Sequence, residues 1–472
     1  MRYLNNCMKY IPIFLLSLAV YLPFIDGVRA ENASSPEATG NLLASATATA
    51  NLNASSQIAL LESNLTELKR ALFRDAVEAI ENGDLDTFAT LKNQSTDYIL
   101  YPYLEYFDLR NRLSSASDEE LMTFIEAYKE TPLSYRIRTQ WLYRLAEDQR
   151  WDQYLKVYKQ QGGVKLRCAY HHARLATDNS KKTYRAVMKA TAHLWKVGSE
   201  QPKECEYIFN KFEKSKYLTT PLIWERIENA MQKGNTKLAT EVSKKLGSRD
   251  RKAVELWVKV HKNPAKYLES KQLRKSSLVN RKIVIHGTKR LARRNAEQAR
   301  ELWGKLQHKR GFGEEQLGEM QRYIALRSSY QRHPNAFTWL KEVEKKWVDD
   351  DVLYWRAMSA LRMQDWKVLE KSIDDLPAKE KEEPKWQYWQ ARTWDQLGKK
   401  EQATELFKKI ATQTNYYGFL ASDRIGASYS FNLEPLPRDE KIIQEIYKLP
   451  GIQRARELYL VDQQLVNLIM TG

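Results

Sequence analysis

The segment 385–429 constrains the fold more than any other part of the chain. It begins with Trp386, Trp389, Trp394 and Leu397 at positions i, i+3, i+8 and i+11, which make one apolar stripe on an α-helix. Gly398 is expected to end that helix. A second stripe at i, i+3, i+4, i+7 and i+8 consists of Ala403, Leu406, Phe407, Ile410 and Ala411. We therefore predict a helical hairpin followed by a third helix. Such a hairpin needs neighbours on both sides to bury its two faces.

The same plan recurs along the chain. The order of small and large residues in the hairpin, Ala391, Trp394, Ala403 and Phe407, is typical of a tetratricopeptide-like unit. Other helical stretches also end in a short polar turn and are followed by a returning helix. The predicted turns are Asp148-Gln149-Arg150, Lys233-Gly234-Asn235, Arg293-Arg294-Asn295, Gln364-Asp365 and Gly398-Lys399-Lys400. Because the spacing is irregular and no segment resembles a strand, the prediction is an all-α fold, a degenerate α-solenoid of tetratricopeptide-like helical pairs.

The N-terminus has the pattern of an export signal. Arg2 and Lys9 give a basic start, residues 11–24 are an apolar run, and Val28-Arg29-Ala30 offers a cleavage site in the small-x-small style before Glu31. We predict a signal peptide over 1–30, cleaved near Ala30, and a periplasmic protein; an uncleaved anchor is the alternative. Residues 31–56 are rich in Ala, Ser, Thr and Asn and are predicted to be a disordered leader. Helical sequence begins at about Gln57.

The chain is strongly basic, with a formal net charge of +17. Export makes nucleic acid an improbable partner despite this charge. Carboxylate-bearing cell-wall polymers or acidic lipid surfaces are better candidates. The alternative is that the excess Lys and Arg only solvate the outer faces of helices.

The cysteines and histidines do not predict a metal site. After export, Cys168 and Cys205 remain, and an even pair in an oxidising compartment is more often bridged than free. Adjacent side chains such as His171 and His172 point about 100° apart on a helix, which is unsuitable for chelation. We interpret both as ordinary helix residues and predict no metal and no cofactor.

Several segments resemble one protein family in their order and spacing. They are residues 98–106 (YILYPYLEY), 194–205 (LWKVGSEQPKEC), 221–239 (PLIWERIENAMQKGNTKLA), 353–376, 386–426 and 454–459 (RARELY). In these segments the chain resembles the N-terminal part of a soluble lytic murein transglycosylase, a periplasmic enzyme that cleaves peptidoglycan. The resemblance also implies that Cys168 and Cys205 form a disulfide.

The resemblance implies a domain organisation. Residues 57–437 would form an irregular right-handed superhelix, U-shaped or part of a ring, and 438–472 would begin a linker domain that closes it. A lysozyme-like catalytic domain would follow. Its catalytic Glu lies in a Glu-Ser motif, followed by Gly-Leu-Met-Gln and an Ala-Tyr-Asn-Ala-Gly-like segment.

The candidate catalytic motifs in this sequence match that pattern poorly. Glu62-Ser63 and Glu269-Ser270 are expected in helical segments of the superhelix, and Gly318-Glu-Met-Gln321 puts Glu319 where the family has Leu. We interpret these matches as coincidence. The acidic pairs Asp374-Asp375 and Glu382-Glu383 are expected to be exposed, whereas glycosidic cleavage needs a protonated carboxylic acid held in a groove. No catalytic residue is predicted, and we expect a chain truncated within the linker domain.

Three functional hypotheses follow. The first is a periplasmic, monomeric protein that binds peptidoglycan, an anionic polymer, with other cell-wall enzymes as further candidate partners. The second is a helical-repeat scaffold for periplasmic proteins. The third is the remnant of a longer murein-cleaving enzyme.

Overall fold

The computed structural model describes residues 61–160, 162–308, 311–433 and 438–461. The predicted signal peptide, the leader and the final stretch 462–472 lie outside the described residues. So do the prolines of the predicted linker, at 434–437. The predicted division into 57–437 and 438–472 stays a prediction.

All regular structure in the described residues is helical. The α-helices are, in chain order, α1 (61–81), α2 (Leu85–Gln94), α3 (Tyr101–Asn111), α4 (Asp118–Ala127), α5 (Pro132–Glu147), α6 (Trp151–Val157), α7 (Val164–Thr177), α8 (Lys181–Trp195), α9 (Glu206–Glu213), α10 (Thr220–Lys233), α11 (Thr236–Ser243), α12 (Ser248–Lys262), α13 (Pro264–Tyr267), α14 (Leu278–Ala292), α15 (Ala296–Gln307), α16 (Glu314–Tyr330), α17 (Ala336–Lys341), α18 (Asp350–Met363), α19 (Trp366–Asp374), α20 (Ala378–Lys381), α21 (Pro384–Gln396), α22 (Lys400–Ala411), α23 (Tyr416–Ile425), α24 (Glu440–Lys448) and α25 (Pro450–Val461). Short 3₁₀ turns occupy Lys203–Cys205, Lys271–Arg274 and Lys345–Trp347. None of the helices in these ranges is long and apolar enough to cross a bilayer.

The chain divides into two compact units, one extending through Tyr101 and resuming at Leu460, the other covering Pro102–Tyr459. In the first unit, α1 buries Phe73 and Ala76. The ring of Phe73 meets that of Tyr98 edge-on, with centroids 5.8 Å apart. Lys69 pairs with Asp97 at 2.7 Å. Helix α1 ends before Gly83, which has a φ of 78°.

The second unit is a solenoid. Helices contact their neighbours in sequence and, repeatedly, the helix two positions further on, as α12 does with α14, α14 with α16, and α16 with α18. One continuous hydrophobic core extends from Val187 in α8 to Val352 in α18, and smaller cores follow in the C-terminal helices. This local pattern of contacts confirms the predicted all-α, solenoid-like fold.

The hairpin at 385–429 is present with the predicted limits. Pro384 occupies the first turn of α21, Gly398 has a φ of 82°, and α22 and α23 follow. Trp386 is fully buried, as predicted, which contributes about 1.5–3 kcal/mol by the usual area relation. Trp389 and Trp394 of the predicted stripe are half-buried and pack against the hydrophobic core of this hairpin. Tyr388, which is not part of the stripe, is buried in the same core, and its ring lies 5.8 Å from that of Phe407.

All five predicted turns lie between helices, and the backbone explains two of them well. Gly234 ends α10 in the left-handed conformation, and Asn235 then accepts the Leu238 N–H as the N-cap of α11. Gln364 adopts φ 55° without being glycine, and Asp365 caps α19.

Ser117 and Glu120 have the Ser-x-x-Glu spacing of a capping box at the start of α4, but only half of the box forms. Ser117 Oγ accepts the N–H of Glu120 at 3.1 Å. The Glu120 carboxylate does not return to the Ser117 N–H; it pairs with Arg112 instead. A guanidinium offers a charge-assisted hydrogen bond, which is stronger than a bond to a neutral amide.

Candidate anion-binding pocket

A pocket of about 380 Å³ opens between α10, α12 and α14 in the second unit. We call it the basic pocket and define it by Glu228, Trp257, Lys282, His286, Lys289 and Arg293. Three of these side chains are cationic and one is a carboxylate. A pocket of this size falls within the range of small-molecule sites.

The local sequence of α14 puts the cations together. Ser277 caps the helix by accepting the Asn280 N–H at 3.1 Å, which fixes where α14 begins. Lys282, Lys289 and Arg293 then follow at i, i+7 and i+11, so that they project from the same side of the helix. Lys289 and Arg293 lie at its C-terminal end, where the helix dipole favours positive charge.

Neighbouring side chains hold these cations in place. Lys282 pairs with Glu228 of α10. Arg293 Nε donates to the Tyr323 hydroxyl of α16 at 3.1 Å. The ammonium of Lys289 lies 5.5 Å from the centre of the Tyr323 ring, at cation–π distance.

One histidine, His286, lines the pocket and is paired with a second, His261, which lies outside the lining. His261 Nδ1 and His286 Nε2 are 3.0 Å apart, so one nitrogen donates a proton and the other accepts it. The pair forms because α14 approaches α12 closely at Gly287, where a Cβ would lie 2.5 Å from Val260 Cγ1. Burial, with further contributions from His261 and the nearby arginines, lowers the pKa of His286 to about 4. The pKa of His261 is lowered as well, chiefly by burial.

The lining also contains an unused hydrogen-bond donor. Trp257 is 3% exposed, and its indole Nε1 has no acceptor within the described part of the chain. A buried N–H without an acceptor costs about 1–3 kcal/mol, and a ligand oxygen at this position would remove that cost.

This combination of groups suits an anion with oxygen acceptors. Two ammonium groups, a guanidinium and an indole N–H offer donors, while Glu228 is already paired with Lys282. Carboxylate and phosphate oxygens accept such charge-assisted bonds strongly. Both histidines are neutral at pH 7, so they add no charge of their own.

The motifs singled out in the sequence lie elsewhere. Glu62-Ser63 lies exposed in α1. Glu269-Ser270 lies in the turn after α13 rather than in a helix, so that expectation was wrong; Pro264 at the start of α13 and the following 3₁₀ turn leave room for only one helical turn. Gly318–Gln321 lies in α16, and Glu319 points toward Lys289, with Oε2 3.9 Å from Nζ.

The acidic pairs do not form a site with these motifs. Asp374-Asp375 and Glu382-Glu383 are exposed at helix ends. Within the described ranges, no group of three or more His, Cys, Asp or Glu side chains is arranged to hold a metal ion.

The cysteines and histidines considered in the sequence analysis lie close together, in α7 and the 3₁₀ turn at Lys203–Cys205. The Sγ atoms of Cys168 and Cys205 lie 1.97 Å apart, at bonding distance. His172 stacks on Tyr207 with ring centroids 3.6 Å apart, while burial lowers the pKa of neighbouring His171 to about 4. Both histidines therefore pack as uncharged residues of α7.

The sequence contained one signal for the basic pocket. The i, i+7, i+11 spacing of Lys282, Lys289 and Arg293 identifies a basic stripe, although the stripe was not singled out. The pairing of His261 with His286 had no local signal, because the two residues lie on different helices.

No protein-family model matches the chain. Curated proteins do match. The soluble lytic murein transglycosylase of Escherichia coli is 24% identical over 399 residues, which cover 83% of this chain and 60% of that protein. The Salmonella typhimurium protein of the same name is 24% identical over 408 residues, covering 84% and 61%.

Solved structures agree with this result. An inactive mutant of the lytic transglycosylase Slt from Pseudomonas aeruginosa aligns with a TM-score of 0.71 and 26% identity over 84% of this chain and 64% of that one. Over most of its length the chain is similar in sequence and fold to soluble lytic murein transglycosylases. The 70 kDa soluble lytic transglycosylase of E. coli, with a TM-score of 0.70 and 22% identity over 84% of this chain and 63% of that one, shows the same fold.

The match covers most of this chain but only part of each lytic transglycosylase. The chain spans about 60% of the length of the curated relatives, while most of its own length is covered. The basic pocket, at residues 228–293, lies well inside the chain.

Proposed function

We propose that this chain binds peptidoglycan in the periplasm and that the basic pocket contacts carboxylates of the polymer. The relatives are named for murein, which carries peptide carboxylates. The observation that carries the proposal is the set of Lys282, Lys289, Arg293 and the Trp257 N–H around one opening. The basic N-terminal segment with its apolar run supports export.

We further propose that the chain binds glycan without cleaving it. Neither Glu-Ser pair supports cleavage, because Glu62 is exposed on α1 and Glu269 is exposed in a turn. A general acid for a glycosidic oxygen needs a raised pKa in a dry groove. Release of anhydro-muropeptides from sacculi by the purified chain would overturn this part of the proposal.

Binding is tested by co-sedimentation with purified sacculi. The double variant Lys289→Glu/Arg293→Glu leaves one cation and three carboxylates at the basic pocket. We expect retention to weaken at least about tenfold, equivalent to about 1.4 kcal/mol. Retention of the unaltered chain should also fall as salt rises, because ions screen partly exposed charges.

The matched control is Lys408→Glu/Lys409→Glu. These lysines are exposed in the last turn of α22, and the net charge changes by the same amount. This variant should keep its retention. If both double variants lose binding equally, the interaction depends on overall charge rather than on the pocket; if neither does, the pocket is not used.

A scaffold for proteins is the second candidate, and α24 is the observation that favours it. This helix has no buried residue and exposes Ile442, Ile446 and the following Leu449. Salt-independent retention of a protein partner, together with no binding to sacculi, would favour the scaffold.

A further inference from the structure

A second cavity, of about 410 Å³, lies between α15, α16 and the segment that follows α17. We call it the polar cavity and define it by Arg300, Trp303, Gly304, Gln321, Glu342 and Glu344. It shares no lining residue with the basic pocket. Its volume is likewise in the range of small-molecule sites.

The lining changes character with depth. Trp303 and Ile324 are 4% and 3% exposed, so the deep part of the cavity is apolar and aromatic. Arg300, Glu342 and Glu344 are exposed or half-buried and form the polar margin. Ligands with one apolar face and several polar edge groups fit such a lining.

The polar margin is already organised. Arg300 Nη2 lies 2.5 Å from Glu342 Oε2, and its guanidinium lies 4.6 Å from the centre of the Trp339 ring. Gln321 Nε2 donates to the Glu342 carbonyl at 2.8 Å. A ligand would therefore meet fixed groups, which lowers the entropic cost of binding.

One deep donor has no partner. Trp303 Nε1 is buried and has no acceptor among the residues that the structure describes. Together with the Arg300 guanidinium it offers N–H groups, while the carboxylates of Glu342 and Glu344 offer acceptors.

The charges exclude two ligand classes. Three carboxylates line the cavity, those of Glu314, Glu342 and Glu344, against the one guanidinium of Arg300, so an anion is repelled. An alkylammonium group would find the carboxylates of Glu342 and Glu314 already paired, with Arg300 and Lys346. The guanidinium and the indole N–H cannot accept a hydrogen bond from it. Hydroxyl groups both donate and accept, and they match the mixed margin.

We propose that the polar cavity is a binding site for an uncharged saccharide unit, whose apolar face packs against Trp303 and whose hydroxyls bond to the margin. This inference depends on the cavity alone and not on the proposed binding of wall carboxylates by the basic pocket. The two proposals can therefore fail separately.

Gly304 provides a sharp test. It lies in α15 and lines the cavity, yet a Cβ at this position would meet no atom within 4 Å. The Cβ introduced by Gly304→Leu displaces no protein atom, the rest of the side chain starts from the cavity lining, and Leu favours a helix over Gly. Loss of binding in this variant is therefore not loss of fold. Gly451→Leu is the control, because Gly451 also faces open space and does not line the cavity.

The probe is chitotriose, an uncharged oligosaccharide, titrated into the full chain by calorimetry, with lysine amide as the cationic comparison. We expect chitotriose to bind the unaltered chain and Gly451→Leu alike, and to bind Gly304→Leu at least tenfold more weakly. Trp303→Phe, which keeps a ring but removes the N–H, should also weaken binding. Absence of binding to the unaltered chain at millimolar chitotriose, equal binding to Gly304→Leu, or binding of lysine amide alone would overturn the proposal.

Discussion

The basic pocket and the polar cavity are built by the same kind of helical pair but carry opposite charge. The basic pocket has three cations and one carboxylate, whereas the polar cavity has three carboxylates and one guanidinium. Each contains a buried Trp whose indole Nε1 has no acceptor among the described residues. Both sites therefore have a helical scaffold and a buried tryptophan. They differ in the charged residues that line them, and these residues determine the class of ligand.

Helix α16 serves both sites. Its Tyr323 accepts a hydrogen bond from Arg293, and Glu319 lies near Lys289, on the side of the basic pocket. Gly318 and Gln321 line the polar cavity. A solenoid helix thus separates two environments, because side chains at different angular positions face different neighbours. The comparison predicts that each site can be changed without the other.

Removing the Cys168–Cys205 pair should give the largest effect on stability and none on ligand preference. The two cysteines are separated by 37 positions in the sequence, and for a loop of this length the entropy model gives about 3–4 kcal/mol. We expect Cys168→Ala/Cys205→Ala to lower the free energy of unfolding by about that amount, measured by denaturant titration. Thiol titration of the unaltered, unreduced chain should detect no free thiol from this pair.

Ligand binding at both sites should survive this change under conditions in which the variant is folded, because neither lining includes α7 or the 3₁₀ turn at Lys203–Cys205. Loss of sacculus binding by the folded variant would mean that the basic pocket depends on distant structure. The two sites would then not be independent of the rest of the fold.

Two glycines of the polar cavity should respond in opposite directions to alanine. At Gly318 a Cβ would lie 2.0 Å from Trp347 Nε1, so Gly318→Ala must displace the indole. Overpacking of this kind costs about 1–3 kcal/mol. At Gly304 the Cβ meets nothing within 4 Å, and Gly304→Ala should stabilise α15 by about 0.5–1 kcal/mol. Thermal unfolding measures both changes, and equal destabilisation by the two variants would contradict the cavity geometry.

The sequence was enough to predict the fold because its signals are local. The stripe in α22, the turn residues Gly234 and Gly398, and Pro384 at a helix start each depend on a few adjacent residues. Sequence reasoning was less informative about which side chains of a helix are fully buried and which partner a charged group binds. Tyr388, outside the predicted stripe, is buried while the adjacent Trp389 is half-buried, and the Glu120 carboxylate binds Arg112 rather than its cap.

The candidate sites were less predictable because they are formed by residues from different helices. The charge of +17 indicated anionic partners in general, but not which helices would meet around them. Trp257 and Lys289 are far apart in sequence and come together only through the approach of α14 to α12. The side chains that line the polar cavity carry a net negative charge, whereas the whole chain is basic. The composition therefore gave no indication of this cavity.

The smallest expected effect is a dependence of stability on pH, which should come from the basic pocket and not from the polar cavity. The lining of the basic pocket includes His286, whose pKa is lowered from 6.5 to about 4, chiefly by burial and then by His261, Arg290 and Arg293. The described lining of the polar cavity includes no histidine. Between pH 6.5 and about 4 the unfolded chain binds a proton at this position that the folded chain does not. Stability should therefore decrease as pH falls through this window, by at most about 1.4 kcal/mol per pH unit for one proton.

Denaturant titrations across this window compare the unaltered chain with His286→Gln. The variant should lose part of the pH slope, while His261 continues to contribute, because burial and Arg290, Arg293 and Arg294 also lower its pKa. His193→Gln alters an exposed histidine on α8 and should keep the full slope. Chitotriose affinity should not follow the protonation of His286, since the polar cavity lies outside its surroundings. If His286→Gln shows the same change of unfolding free energy with pH as the unaltered chain, His286 is not a source of the pH dependence. The basic pocket and the polar cavity would then not differ in their response to acid.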